Sequence, residues 1–451
     1  MRKVLLIAFY FNQTNEIASK RLRGLAKYLP QFGWEAIVIV PKLDETPINY
    51  EKYDFNVIET DYVDMLDKWA NKFKISSKKK SNDSKTNKEH NTEPASHDGY
   101  SNNNKSLAKA ISLAGELFAY PDGMKYWYKP AIEASQEIIE KDNAIERIIS
   151  SSWPVTSHII AKDLKKQFNL GWIADLRDLW NMNPYVSHNF IRNYFEKRLE
   201  LKTFENVDAL TTTTELAALN LKKLHPQAKI YPVLSGFDLE EFSNIENSYD
   251  LDKNNQKKLE EKNILNLTYA GSLYSGKRDP TFLFKGLSQL IDERKIDPSI
   301  IALDFYGDSG NLEDIANTYN IRDILNIHGS ITHKEVLKRQ KESQILLLIS
   351  WNNKKEEMFI PGKVFEYLSL KRPILSIGYK EGSLKELIAR TNVGYHVSTL
   401  DQTKNALMKL YDDFISNKTI SYKGNEKVNS YSMRNTAKKF GRILDSVNND
   451  K

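Results

Sequence analysis

The sequence predicts an α/β protein of two doubly wound, parallel-sheet domains whose strand ends face each other across a cleft. Three observations carry that expectation. Short apolar runs alternate with amphipathic helical stretches along the chain. The same grammar starts afresh after a polar break near residue 250. With 451 residues, the chain is long enough for two full cores.

Taken in order, the basic Arg2-Lys3 precedes an apolar run from Val4 to Phe11. Such a start would also suit a signal peptide, but Asn12-Gln13-Thr14-Asn15 offers no small-residue cleavage pattern, so a buried first strand is expected. A loop from Asn12 to Ala18, a helix from Ser19 to Phe32 ending at Gly33, and a strand from Glu35 to Val40 complete one right-handed β-α-β unit. Strands at 147–151 and 171–175 bracket a helix at 156–168, and a helix at 190–205 leads into a strand at 209–213. The second half reads as strands at 267–270, 302–306, 325–327, 345–349, 374–377 and 394–397, with helices between most of them. Two segments break the pattern. Residues 76–105, rich in Lys, Ser, Asn and Asp, read as a disordered loop, and 243–262 as an exposed polar insertion.

Composition narrows the functional classes. An apolar content of 40% with 11% aromatics describes a globular chain. The absence of Cys excludes disulfides, thiolate metal sites and cysteine nucleophiles. A net charge of +6 is small for this length: it does not point to nucleic acid, and it suits anionic ligands or an anionic membrane surface. No apolar stretch is long enough to span a bilayer, so a cytoplasmic chain is expected. Peripheral contact with the inner face of the membrane is the further expectation. Trp69, Phe73 and Ile75 lie among Lys68, Lys72, Lys74 and Lys78-Lys79-Lys80, and residues 107–118 have helical apolar spacing. Packing of that helix on its own domain is the alternative.

Two motifs carry chemistry. In the first, Pro361-Gly362 starts a helix whose Val364, Phe365 and Leu368 face inward, while Lys363 and Glu366 project together near its positive end. A solvated ion pair is the simpler reading of that spacing. In the second, strand 265–270 ends in Gly271-Ser272-Leu273-Tyr274-Ser275-Gly276-Lys277-Arg278 before a helix. Strand, Gly-rich loop, helix is how parallel sheets present backbone N–H groups to phosphate, and two adjacent cations would neutralise a diphosphate. The loop is neither a P-loop nor a dinucleotide fingerprint. Together the two motifs describe a nucleotide-sugar site.

In the first half, residues just past strand ends are Glu16, with Arg21 on the following helix, and the cluster Asp175-Leu176-Arg177-Asp178-Leu179-Trp180. Carboxylates flanking an Arg can position an acceptor hydroxyl, or can hold a loop together. His158 has the chemistry of a base but sits on a helix beside Ile159 and Ile160. No catalytic triad and no metal-ligand spacing is evident, His328 and His333 lacking a third partner.

The opening strand and loop with Ser19–Arg21, the run 174–180, the loop 271–278 and the stretch 361–375 resemble retaining GT-B glycosyltransferases of the GT4-like superfamily, of polysaccharide-biosynthesis type. That resemblance covers nearly the whole chain and implies two Rossmann-like domains: 1–235 for the acceptor, 236–430 for the nucleotide sugar, and a helix at 431–451 returning to the first domain. Gly236 and Asp238 resemble the crossing motif, with Ser235 in place of Asn.

The same resemblance assigns Lys277 to the diphosphate and Glu366 to the donor ribose, with Gly271, Ser272, Gly276, Arg278, Gly362 and Lys363 around them. Ser272 stands where many members carry Arg, a loss that Arg278 offsets. Met358 stands where the first glutamate of the family's Glu-x7-Glu motif falls, and Glu356 and Glu357 reach that place only by a register shift. Arg177 and Asp178 take the place of a histidine near the anomeric carbon, and with Lys277 they form the expected catalytic set. Glu16, Arg21 and Asp175 would contact the acceptor. The donor is a nucleoside diphosphate sugar, the acceptor a glycan or lipid-linked molecule, and no metal or other cofactor is required. The alternatives are a GT-B UDP-N-acetylhexosamine epimerase and a non-catalytic nucleotide-sugar-binding subunit.

Overall fold

A computed structural model describes residues 1–12, 17–43, 56–63, 120–186, 188–240, 263–274 and 276–447. Glu16, Ser275, the loop at 76–105, the basic–aromatic stretch from Lys68 to Lys80, the helix expected at 107–118 and the insertion at 243–262 lie outside the described residues.

The two doubly wound sheets expected from the alternation are present, and every strand pair in them is parallel. The first contains β1 (Arg2–Ile7), β2 (Trp34–Pro41), β3 (Asn56–Thr60), β4 (Ile145–Ser151), β5 (Gly171–Leu176), β6 (Ala209–Thr212) and β7 (Ile230–Pro232). Their order is β3-β2-β1-β4-β5-β6-β7. The second contains β8 (Leu265–Ala270), β9 (Ile301–Tyr306), β10 (Leu325–Gly329), β11 (Ile345–Ile349), β12 (Ile374–Ile377) and β13 (Gly394–Val397), in the order β10-β9-β8-β11-β12-β13. Each sheet is wound outward from its first strand. The loops beyond β1 and β4, and those beyond β8 and β11, therefore diverge and open a crevice at the strand carboxyl ends.

Strands β3 and β7 were not expected. Both are edge strands, half-exposed and short, so neither carries the continuous apolar run that marks a central parallel strand. Helix α1 (Ile17–Tyr28) stops earlier than the pattern indicates, because Pro30 cannot continue the α-helical hydrogen bonding. The chain tightens into a 3-10 turn, Leu29–Phe32, and leaves it through Gly33 at φ +85°.

The remaining helices of the first half are α2 (Tyr128–Lys141), α3 (Thr156–Phe168), α4 (Phe190–Thr203) and α5 (Glu215–Leu224). Those that follow are α6 (Thr281–Asp292), α7 (Leu312–Thr318), α8 (His333–Glu342), α9 (Lys363–Leu370), α10 (Ser383–Thr391), α11 (Leu400–Asn417) and α12 (Met433–Ser446). Alternate residues of β1 serve opposite cores, as a two-residue period requires. Leu5 and Ile7 join Trp172 and Ile160 on one face of the sheet. Val4 and Leu6 join Leu22 and Leu25 of α1 and Phe440 and Leu444 of α12 on the other. The last helix is thus part of the first sheet's core.

The two passages between the halves run side by side. Phe237 N donates to Tyr431 O at 3.0 Å, and Met433 N donates to Phe237 O at 2.9 Å. Asp238 accepts from Lys27 Nζ at 2.7 Å and Tyr28 Oη at 2.6 Å, which fastens the crossing to α1. No helix among the described residues is long and apolar enough to cross a membrane.

Candidate active site

The second sheet's switch point gathers most of the residues singled out in the sequence. β8 runs into Gly271 at φ +134°, a backbone conformation that favours glycine, and a Cβ there would collide with the Lys363 ammonium. Lys363 opens α9 just after Pro361-Gly362; its Nζ donates to Ala270 O at 2.5 Å and lies 4.5 Å from the Tyr269 ring centre. Ser272 O accepts from Tyr269 Oη at 2.9 Å and Arg278 Nη1 at 3.3 Å. The Arg278 guanidinium stacks 3.9 Å from the Tyr274 ring centre, and its buried Nε has no partner among the described residues. Lys277 Nζ lies 4.8 Å from the Tyr185 ring centre and 5.3 Å from that of Trp351. Gly276, at φ +86°, forms the loop tip with open space where a Cβ would be.

Burial, with the Arg278 charge adding to it, pushes the Lys363 ammonium down to about 7, and nearby Glu366 offsets only part of this. Glu366, in the first turn of α9, shows the opposite balance. Burial alone would raise its carboxyl, but Lys20 and His333 outweigh that and hold it at about 2. Lys20 Nζ of α1 lies 2.5 Å from Glu366 Oε1, and His333 Nε2 of α8 lies 3.1 Å from the same oxygen. An ion pair between the two halves therefore spans the cleft. Both of these contacts fall on the same carboxylate oxygen of Glu366.

Sequence reasoning missed Lys20, Tyr185 and Trp351, and treated Glu356 only as a near miss. Glu356 ends a 3-10 turn, Lys354–Glu356, capped by the Asn353 side chain. Its buried carboxylate accepts from Tyr185 Oη at 2.8 Å to each oxygen. Burial raises its pKa, while the Tyr185 hydroxyl, Arg278 and Lys277 pull the other way. The same burial and the Glu356 charge push the Tyr185 phenol up. The turn thus brings Glu356 to the cationic loop. Met358 packs instead on the first half's core, where its carbonyl accepts from Thr214 Oγ1 at 2.6 Å. The only sequence signal for Glu356 was its nearness to the Glu-x7-Glu register, and Tyr185 had none. Tyr185→Phe is expected to cost about 1 kcal/mol of stability and to raise the donor KM a few-fold, read by urea unfolding and steady-state kinetics.

In the first half the structure turns several expected residues inward. Arg21 and Asp175 form a buried two-point pair, Nε to Oδ2 and Nη2 to Oδ1, both at 2.9 Å. Asp175 also accepts from Thr211 Oγ1 at 2.8 Å and Ser151 Oγ at 3.2 Å. Burial would raise its pKa, but Arg21 and these hydrogen bonds prevail and lower it. With Asp175 at 0% exposure and Arg21 at 2%, this pair holds the ends of α1, β4, β5 and β6 together and does not form cleft surface. Arg177 Nε donates to Ser152 O at 2.5 Å and lies 3.7 Å from Asp178 Oδ2. Asp178 is half-exposed beside it, and no described contact joins either residue to Lys277. His158 is a core residue. Its Nδ1 lies 2.8 Å from Ser150 Oγ, and burial pushes it down to about 3. Among the described residues no group of His, Asp and Glu is arranged to hold a metal ion.

No protein-family model and no curated protein matches the sequence. Solved structures do. Sucrose-phosphate synthase from Thermosynechococcus elongatus matches with a TM-score of 0.63 at 14% identity, covering 99% of both chains. A glycosyltransferase from Rickettsia africae matches at 0.60 and 14%, covering 99% of this chain and 98% of that one. Anabaena HepE in complex with UDP-glucose matches at 0.51 and 10%, covering 98% and 95%. The likeness is one of fold, and the chain has the GT-B architecture.

Proposed function

We propose that the protein is a retaining, GT4-like glycosyltransferase. It moves a sugar from a nucleoside diphosphate sugar to a glycan or lipid-linked acceptor in the synthesis of surface polysaccharide or glycoconjugate, working peripherally at the cytoplasmic face of a membrane. The observation that carries this reading is the cationic loop beyond β8: Lys277 and Arg278 stand beside Glu356, Arg278 also faces Lys363, and Lys363 in turn lies near Glu366. UDP-glucose bound to HepE, on the same architecture, supports it. In this reading residues 1–235 receive the acceptor, 236–430 hold the donor, and 431–451 tie the second unit back to the first.

The chemistry follows from charge. As the glycosidic bond breaks, negative charge grows on the leaving diphosphate, and Lys277, Arg278, Lys363 and the N–H groups opening α9 stabilise it. The acceptor hydroxyl attacks from the face the phosphate leaves and gives its proton to the departing phosphate oxygen. Glu366 accepts from the donor ribose in place of Lys20. Glu356, held by Tyr185, keeps the cations aimed and takes up the position that the missing first glutamate leaves open. Closure of the two halves excludes water from the donor.

Two measurements test the assignment. Incubation with labelled nucleotide sugars and lipid or glycan acceptors should give transfer with retained configuration. Isomerised donor would mark an epimerase, and binding without turnover a binding subunit; either result removes the proposal. Calorimetric titration with UDP and GDP should show proton uptake. Lys363 is largely neutral above about pH 7 in the free protein, and a bound diphosphate raises its pKa. Affinity should therefore fall up to about tenfold per pH unit between about pH 7 and 9. A flat profile would take Lys363 out of the phosphate site.

A further inference from the structure

Helix α4 is built inside out. Arg192, Glu196, Glu200 and Thr203 are buried, whereas Phe190, Ile191, Tyr194, Phe195 and Leu201 stand exposed, Phe190 at 82%. The buried side is held by polar partners. Arg192 Nε lies 3.2 Å from Glu196 Oε1, Trp180 Nε1 donates to Glu196 Oε2 at 2.6 Å, and His225 Nε2 lies 3.2 Å from Glu200 Oε1. Turning the apolar face inward would bare those partners in the core, so the orientation is enforced from below. The result is a contiguous apolar face on one helix, a surface that marks an interaction site.

The charges on that face identify its partner. Lys197, Arg198 and Lys202 are exposed, and no acidic side chain of the helix is, because both glutamates turn inward. The face continues through Tyr120, whose hydroxyl donates to Phe195 O at 3.3 Å, to Lys125 and the exposed Tyr126. Aromatic and aliphatic groups suit the boundary between headgroups and acyl chains, and the cations suit lipid phosphates. A two-fold contact with a second copy would set these cations against their own counterparts.

We infer that the Phe190–Lys202 face of α4, with Lys125 and Tyr126, docks on an anionic lipid surface. The inference deepens the peripheral placement proposed above, rests on that reading for the partner's identity, and moves the contact from the 68–118 stretch to α4. It also has a geometric consequence. Tyr185, which reaches Glu356 across the cleft, is only five residues before Phe190, at most roughly 18 Å of chain. Docking through α4 therefore sets the cleft beside the membrane, where a lipid-linked acceptor would be presented.

The test is sedimentation of the whole chain with vesicles of phosphatidylcholine alone or mixed with phosphatidylglycerol. Binding is expected to the acidic vesicles only. The pair Lys197→Glu/Arg198→Glu should weaken it roughly a hundredfold, and Phe190→Ser/Phe195→Ser roughly tenfold or more. All of these side chains are exposed, so UDP-induced thermal stabilisation should be unchanged in both variants, and this separates lipid binding from donor binding. Since the chain has no native cysteine, Asn193→Cys can be labelled at one place. A maleimide should react quickly in solution and slowly on acidic vesicles. Wild-type protein that ignores acidic vesicles, or variants that bind like wild type, would overturn the inference. So would slow labelling of a monomer in solution, which marks a face already covered by the chain itself, or a dimer dissociated by Phe190→Ser/Phe195→Ser in light scattering.

Discussion

Exchanging Glu366 for alanine is expected to lower kcat/KM for sugar transfer by roughly two to three orders of magnitude, and to do so mainly by raising the donor KM. In the free protein Lys20 and His333 hold the carboxylate ionised at about 2, and His333 stays to aim it when the ribose replaces Lys20, so it is an acceptor at any working pH. Two charge-assisted hydrogen bonds to ribose hydroxyls are worth about 3 to 4 kcal/mol, which is roughly two to three decades of rate at about 1.4 kcal/mol per decade. The ribose is unchanged during transfer, so its contact is made equally in ground and transition states, and its loss falls on KM. Glu366→Gln keeps the shape and one acceptor and should lose only about tenfold. The fold should survive, because Glu366 lies on the cleft surface and Lys20 keeps His333 at 2.9 Å. A donor KM within a factor of about two of wild type in Glu366→Ala would sink the ribose assignment.

Lys277→Met and Arg278→Met should each lower kcat, by roughly a hundred- to a thousandfold, with smaller changes in donor KM. In the proposed reaction these cations meet charge that develops only as the diphosphate leaves, and removing one such donor typically has an effect of this size. Lys277 is half-buried against Tyr185 and Trp351, so its exchange leaves the core alone and gives the cleaner measurement. Arg278 sits deeper, between Tyr274 and the Ser272 carbonyl, and also balances the buried Glu356. Arg278→Lys restores the charge without the planar fork and should recover only part of the rate. Unchanged kcat in both methionine variants would place the leaving group elsewhere.

How far the sequence could be read differs between the two halves of the site. The loop from Gly271 to Arg278 and the helix start at Pro361-Gly362-Lys363 were legible, because each is local: a glycine required by its backbone, a cation at fixed spacing, a proline at a helix start. Asp175 and Arg21 were legible as charged residues near strand ends but not as partners, since the sequence sets Asp175 beside Arg177 instead. Their separation in the chain says nothing of the two-point geometry that closes when β4, β5 and β6 align. Glu356 lies two residues outside the Glu-x7-Glu register, on a separate 3-10 turn ahead of the helix that carries Glu366, so its place beside Tyr185 could not be read from spacing. The edge strands β3 and β7 are five and three residues long and only partly buried, so they show neither a continuous apolar run nor a clean alternation.

What the sequence alone determined is the architecture and the local form of the loops at Gly271–Arg278 and Pro361–Lys363. Apolar periodicity and glycine or proline placement act over a few residues, and parallel order follows from the alternation of strands with helices. What only the tertiary structure decided is which charges meet. Lys20 on Glu366, Tyr185 on Glu356 and Arg21 on Asp175 each join residues more than a hundred positions apart. The outward face of α4 was decided the same way, by Trp180 and His225 claiming its glutamates from beneath. Electrostatic partners are selected by distance in space and by burial, and neither quantity exists until the two sheets have packed.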